Sequence, residues 1–131
     1  MLLGHKQELL ARLLPLLITR AYELGFTVRL KELQRAPEQA EFNATHCGRC
    51  RVAERDHEEA GHKFHPIGLR DSLHCDGLAI DLVLFKDDEP LWDSKHYRDL
   101  GEYWENLHEL CRAGFRFNDG GHFSLTHGNR R

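Results

Sequence analysis

Apolar residues recur at helical spacing in two parts of the chain. The N-terminal part predicts an amphipathic helix that ends near Gly25. Its apolar face carries Leu9, Leu13, Leu16 and Leu17. A second helix is predicted from Ser94, as its capping residue, to about Cys111. Its core stripe consists of Tyr97, Leu100, Trp104, Leu107 and Cys111. Each of these helices should bury one face.

Alternating apolar and polar residues predict strands elsewhere. The first strand alternates at Phe26, Val28 and Leu30, and Pro37 then begins a short helix. The segment 77–85, GLAIDLVLF, predicts a second strand. Its core face carries Leu78, Ile80, Leu82 and Leu84. The segment 115–127, FRFNDGGHFSLTH, predicts two short strands around an Asp-Gly-Gly turn.

The composition is that of an ordinary globular protein. The chain has 131 residues, 40% hydrophobic and 30% charged, which fits a single domain, 1–131. The net charge of −3 gives no electrostatic reason for binding nucleic acid or an anionic membrane. The longest uncharged run near the N-terminus, Leu13–Thr19, is too short to span a bilayer, and its flanks do not fit a secretory signal. We expect a monomer made in a cytoplasm, without stable membrane association.

An acid interrupts the most apolar strand. Asp81 lies between Ile80 and Leu82, and an unpaired carboxylate in a core costs free energy. Alternation places Asp81 on the face opposite the leucines, where a positive partner would hold it. The chain contains ten His residues, an excess that favours metal chemistry.

His74, Asp81 and His122 are polar residues at positions where apolar ones would be expected. Two His and one carboxylate around a zinc ion leave a fourth position for water, which is typical of a catalytic site. His74 and Asp81 are an odd number of residues apart, so a straight strand would point them to opposite faces. We therefore predict a turn or bulge near Gly77.

A second acid accompanies this group. Asp119 lies three residues before His122, and a carboxylate beside the water of a zinc site can take up its proton and pass it to a leaving amine. Gly120 and Gly121 would let the backbone turn so that Asp119 and His122 converge.

These residues form a recognisable pattern. The segment 72–81 reads S-x-H-x-x-G-x-A-x-D, and D-x-x-H follows at 119–122. Together they resemble the zinc DD-peptidase family, which includes D-alanyl-D-alanine carboxypeptidases, D-Ala-D-Ala dipeptidases and phage L-alanyl-D-glutamate endolysins. The stretches LAIDLVLF and LGEYWENL look especially like the compact phage-encoded branch. The resemblance covers about residues 28–125 and is strongest from Ser72 onward.

The resemblance implies a role for each matching residue. His74, Asp81 and His122 would be the zinc ligands, and Asp119 would be the catalytic general base and acid. An Asp at this position occurs in the endolysin-like branch, which favours an endopeptidase over a carboxypeptidase.

Two further residues take roles from the same resemblance. Arg35 would polarise the scissile carbonyl or hold a substrate carboxylate by two-point hydrogen bonding. Its alternative is a solvated loop arginine. Ser72 would help to orient the substrate or the metal site, and its alternative is a turn or cap residue.

The implied fold is the small α+β fold shared with the hedgehog signalling domain, an antiparallel sheet backed by helices. The implied function is a zinc metallopeptidase that hydrolyses peptide bonds in bacterial peptidoglycan stem peptides. We expect such an enzyme to be made in the host cytoplasm without a signal peptide and to reach the cell wall after release, as a phage lysis enzyme would.

The segment 46–71 is polar, His-rich and weakly periodic, so it predicts a long loop. The chain has four Cys residues, which in a cytoplasm are thiols or metal ligands rather than disulfides. Cys47 and Cys50 form a lone C-x-x-C, and a second, structural zinc would bind them with two imidazoles. The candidates are His46, His57, His62 and His65, of which we expect His62 and His65 to complete the site. Surface thiols are the alternative.

Two other functions stay open. One is a zinc-stabilised module that binds nucleic acid through the Cys47/Cys50 motif, although the chain has one C-x-x-C and a negative net charge. The other is a relative of the peptidases that keeps the fold and the metal but has lost turnover.

Overall fold

The computed structural model describes residues 1–32, 37–48, 51–60, 62–64, 66 and 73–128. Its α-helices and strands are, in chain order, α1 (Leu3–Glu23), β1 (Thr27–Glu32), α2 (Pro37–Thr45), β2 (Ala79–Lys86), β3 (Glu89–Pro90), α3 (Arg98–Leu107), β4 (Cys111–Ala113) and β5 (His122–Leu125). Short 3-10 helices cover Glu54–Ala60, Leu73–Asp76, Ser94–Tyr97 and Gly114–Phe117.

The strands form one open antiparallel sheet. Its order is β1-β2-β5-β4, and β3 pairs with the end of β2. Helices α1 and α3 pack on this sheet and on each other. The predicted α+β class, an antiparallel sheet backed by helices, is confirmed.

The core lies between α1, α3 and one face of the sheet. The predicted core face of β2 is confirmed at Ile80, Leu82 and Leu84, which belong to this core and are almost fully buried. Leu78 instead belongs to a smaller cluster with Leu73 and Ala79, and Val83 on the opposite face is buried as well. Trp104 of α3 packs there as well, with its indole N–H donating to the Ser124 carbonyl at 3.1 Å.

Helix α1 runs without interruption through Pro15 and ends two residues before Gly25. Its buried face is partly different from the predicted one. It consists of Lys6, Leu10, Leu13, Leu17 and Ala21, whereas Leu16 is 45% exposed. No helix in the described part of the chain combines the length and the apolarity needed to cross a bilayer.

The predicted helix from Ser94 to Cys111 is too long. The chain forms a 3-10 turn first, α3 ends at Leu107, and Cys111 begins strand β4. Ser94 as the cap is wrong, since Asp93 accepts the Lys95 N–H at 3.0 Å. The apolar stripe in the sequence continues through Cys111 because that residue would be buried whether it ended a helix or began a strand.

The predicted pair of strands in 115–127 is half right. The second strand forms as β5, but Gly114–Phe117 is a 3-10 helix, which Asn118 ends in the left-handed region with φ 61°. The true partners of β5 are β2 and β4, on its two sides. The predicted strand at Phe26–Leu30 and the short helix at Pro37 are confirmed as β1 and α2.

Candidate metal centres

Strand pairing brings Asp81 and His122 together. The two residues are directly opposite each other in the antiparallel register of β2 and β5. Since Asp81 is on the face of β2 that points away from the leucine core, its carboxylate is reachable, with 27% of the side chain exposed. The acid in the apolar strand therefore faces a histidine rather than the core.

His74 reaches the same place through an abrupt turn. It belongs to the 3-10 helix Leu73–Asp76, which Gly77 ends with φ 66°. The Leu78 N–H donates to the Leu73 carbonyl at 3.0 Å and the Gly77 N–H to the His74 carbonyl at 3.2 Å, the pair of bonds that closes a helix on a left-handed glycine. The predicted irregularity at Gly77 is confirmed, and it lets His74 and Asp81 converge.

The spacing of the donor atoms fits a tetrahedral zinc ion. His74 Nε2 lies 3.2 Å and His122 Nδ1 lies 3.3 Å from Asp81 Oδ1, and all three donors are within 4.8 Å of one another. Zinc bonds of about 2.0–2.1 Å to nitrogen and oxygen separate tetrahedral ligands by roughly 3.3–3.4 Å. The residues present therefore suit the metal in kind, the two separations from Asp81 Oδ1 match tetrahedral zinc, and the three residues form a candidate metal-binding triad.

The two imidazoles also determine the charge state of the acid. Burial by itself would raise the pKa of Asp81, but hydrogen bonds and charge from His122 and His74 outweigh it and hold that pKa well below its usual range. Asp81 is thus an anion at neutral pH, which is the form that ligates a cation.

Asp119 stands beside this triad rather than in it. Its Oδ2 lies 4.0 Å from His122 Nδ1, and 61% of its side chain is exposed. Partial burial raises the pKa of Asp119, the nearby Asp81 carboxylate adds to that rise, and His122 opposes it. A carboxyl group with a raised pKa, within a water's reach of the triad, has the chemistry of a proton acceptor.

The glycines after Asp119 act through close packing rather than through an unusual backbone angle. The described glycines with positive φ are Gly25, Gly77 and Gly128. A Cβ atom on Gly121 would lie 2.3 Å from the Leu82 carbonyl oxygen, and one on Gly120 would lie 2.7 Å from the Tyr97 ring. The predicted convergence of Asp119 and His122 is observed, but the two glycines are needed for their small size rather than for a flexible backbone.

A cavity of about 160 Å³ opens beside the two acids. Asp81 and Asp119 line it together with Lys31 from the end of β1, and with Trp92, which is 71% exposed. Lys31 was not among the predicted site residues. Alternation along β1 could mark it as a polar-face residue, but only the pairing of β1 with β2, with its irregularity between Leu30 and Glu32, places it at the cavity.

A second triad lies in the His-rich segment and consists of Cys47, His57 and His62. Cys47 Sγ is 3.5 Å from His62 Nε2, and His57 Nε2 is 3.3 Å from the same nitrogen. The triad thus contains Cys47 of the predicted second site and, of the four candidate imidazoles, His57 and His62. His46 is not in this triad, and its ring stacks on Phe42 with the ring centroids 3.8 Å apart.

Four predicted site residues lie outside the described residues. They are Arg35, Ser72, Cys50 and His65. The roles predicted for them therefore stay predictions.

Comparisons with known proteins leave the family open. No protein-family model matches the chain, and no curated protein sequence matches it. The resemblance to zinc DD-peptidases consequently depends on the residue pattern at 72–81 and 119–122.

Proposed function

We propose that this protein is a zinc metallopeptidase that hydrolyses peptide bonds in the stem peptides of bacterial peptidoglycan. The observation that carries the proposal is the convergence of His74, Asp81 and His122, whose ligand atoms lie within 4.8 Å of one another, with a further carboxylate, Asp119, beside them. Structural zinc sites are usually closed by four protein ligands, whereas three ligands with a neighbouring acid and a cavity are typical of hydrolytic sites.

The three ligands would hold the metal in a water-accessible corner of the sheet. When bound there, zinc supplies Lewis acidity to a carbonyl oxygen and acidity to a water molecule. Asp81 and the two imidazoles give this site a net charge of about +1 with the metal. His74 and His122 are almost fully buried, so the ring positions are held by packing before any metal arrives.

Asp119 would carry the proton through the reaction. As the water oxygen bonds to the carbonyl carbon, the Asp119 carboxylate accepts a water proton. It then donates that proton to the amide nitrogen, and the C–N bond breaks to give a carboxylic acid and an amine. The raised pKa of Asp119 brings its proton affinity closer to that of the groups it serves.

Lys31 and Trp92 would position the peptide. The Lys31 ammonium group at the cavity suits a substrate carboxylate or the oxygen that becomes negative during attack. Trp92 offers an exposed indole at the rim, where it would cover apolar parts of the chain being cut. Stem peptides carry free carboxylates, which the Lys31 ammonium group would suit, and the pattern at 72–81 and 119–122 favours them over other peptides.

Digestion of purified peptidoglycan tests the proposal. We expect zinc-loaded protein to release new amine groups, and mass spectrometry of the fragments identifies the bond that is cut. Asp119→Asn removes the proton acceptor and should lower kcat by at least about 100-fold while zinc remains bound. Asp99→Asn replaces an exposed acid at the start of α3 and should leave the rate unchanged.

Three outcomes would contradict the proposal. Equal rates for the parent and Asp119→Asn would remove Asp119 from the mechanism. Zinc binding without any hydrolysis would indicate an inactive relative. Intact cell walls together with steeply salt-dependent DNA binding would favour the nucleic-acid module.

A further inference from the structure

The described residues of the segment 37–66 form secondary structure without an apolar core of their own. None of its described residues belongs to either hydrophobic cluster of the protein, and α2 and the 3-10 helix Glu54–Ala60 touch the sheet and the other helices only sparsely. Small units with so little apolar contact usually need a metal or disulfides to stay folded.

Among the residues of this segment whose burial is described, Asn43, Cys47 and His57 are buried, and the last two are candidate metal ligands. Cys47 is 0% exposed and His57 is 6% exposed. Burying a thiol and an imidazole against each other gives little hydrophobic free energy, and a polar group that loses water needs a partner. Cys47 and His57 lie in the middle of the segment, where a structural metal could hold its parts together.

Two distances between ligand atoms of the Cys47 triad match those expected around a tetrahedral zinc ion. Zinc bonds of about 2.3 Å to sulfur and 2.0–2.1 Å to nitrogen separate tetrahedral S and N ligands by roughly 3.5 Å and two N ligands by roughly 3.3–3.4 Å. The observed separations are 3.5 Å for Cys47 Sγ to His62 Nε2 and 3.3 Å for His57 Nε2 to His62 Nε2. Thiolate and imidazole together favour zinc over magnesium, calcium or manganese.

We propose that Cys47, His57 and His62 supply three of the four ligands of a structural zinc ion, separate from the site at His74, and that this ion holds the segment 37–66 in its fold. Backbone hydrogen bonds form a tight turn immediately after Cys47, which would hold its thiol in place. The Cys47 N–H donates to the Val52 carbonyl at 3.0 Å, the Arg51 N–H donates to the Cys47 carbonyl at 2.8 Å, and Arg51 takes the left-handed conformation with φ 65°.

The ion would join three parts of the segment that little else connects. Cys47 follows α2 directly, His57 is in the 3-10 helix Glu54–Ala60, and His62 comes after that helix. Isolated bridges from His46 to Ala53 and from Cys47 to Pro66 run through the same place. Binding requires the Cys47 thiolate, so the thiol proton goes to solvent when the metal binds.

Cobalt substitution of the full-length protein distinguishes the two sites. The triad at His74 has no sulfur ligand, so a thiolate-to-cobalt charge-transfer band reports only the site at Cys47. We expect the parent protein to bind about two metal equivalents and to give this band. Cys47→Ser should lose the band and about one equivalent, whereas Cys75→Ser, a matched control in the 3-10 helix at His74, should retain the band.

A milder variant covers the case in which Cys47→Ser fails to fold. His62 is only half-buried, so His62→Gln should fold and weaken the band strongly, while His96→Gln, another half-buried His, should not. Zinc should also protect the chain from trypsin at Arg51, Arg55 and Lys63, and this protection should persist in Asp81→Asn.

The inference is overturned if the parent gives no thiolate band, or if Cys47→Ser and His62→Gln bind as much metal as the parent. Peptidoglycan hydrolysis reports on the proposed peptidase instead. A thiolate band without hydrolysis would support this zinc site and contradict the proposed peptidase. Hydrolysis without the band would support the peptidase and contradict this zinc site.

Discussion

Asp81 and Cys111 both interrupt apolar surroundings, yet their environments act on them in different ways. Burial acts to raise both pKa values, but two imidazoles reverse the effect at Asp81. At Cys111 burial prevails over the backbone hydrogen bond at His108 and the charge of Arg112, and it raises the pKa to about 12. One residue is held as an anion ready for a cation, while the other is an inert core thiol.

The Cys111 thiol should make the fold sensitive to alkali. Its pKa is raised on folding, so its contribution is complete below the ordinary thiol pKa and is lost as the pH rises toward about 12. The loss is at most about 1.4 kcal/mol per pH unit. We expect the free energy of urea unfolding of the parent to fall relative to that of Cys111→Ala between about pH 9 and 11.

The same thiol gives a second readout at neutral pH. Cys111 is fully buried and Cys75 is half-buried, so iodoacetamide should label Cys75 in the native protein and Cys111 only on unfolding. Labelling of Cys75 and Cys111 at the same rate in the native protein would contradict the placement of Cys111. A free energy of unfolding that changes with pH in the same way for the parent and Cys111→Ala would contradict it as well.

At the scale of elements, the turn between the 3-10 helix Leu73–Asp76 and β2 determines where His74 points. Gly77 has φ 66°, and an added Cβ would meet only the flexible Gln7 side chain, at 3.5 Å. A substitution there would therefore act through the backbone conformation rather than through a clash. This turn is the feature that connects local chain geometry to the metal triad.

A graded series at Gly77 tests that connection. Asn tolerates the left-handed region better than Ala, and Val tolerates it least. We expect Gly77→Asn, Ala and Val to lose increasing stability, with about 1–2 kcal/mol for Ala, and zinc affinity at the His74 triad to fall in the same order. Gly4→Ala, in α1 with no atom within 4 Å, should not destabilise the protein. A flat series in zinc affinity would mean that this turn does not position His74.

The sequence predicted the elements best where one physical signal was dominant. Alternation identified Ile80, Leu82 and Leu84 as the core face of β2, and the odd spacing from His74 to Asp81 required the turn at Gly77. The end of α3 could not be predicted, because a stripe that reaches Cys111 at i+4 looks the same whether that residue is buried in a helix or in a strand. Lys31 could not be placed at the cavity without the pairing of β1 with β2.

The whole molecule divides into two parts with different sources of order. The sheet, α1 and α3 share one continuous apolar core that includes Leu17, Trp104 and Phe123, and each such buried side chain contributes roughly 1.5–3 kcal/mol. The segment 37–66 contributes no described residue to that core. The His74 triad lies on the sheet, whereas the Cys47 triad lies within the segment.

Metal removal should therefore affect the two parts unequally. With a strong zinc chelator, we expect the amides of β2, β5 and α3 to keep their protection from hydrogen exchange, because the apolar core needs no metal. The amides of 37–66 should lose protection, and added zinc should restore it. Thermal unfolding of the core should stay cooperative. If chelation instead exposed the sheet and the segment together, the core would depend on the metal, and the division into two parts would be wrong.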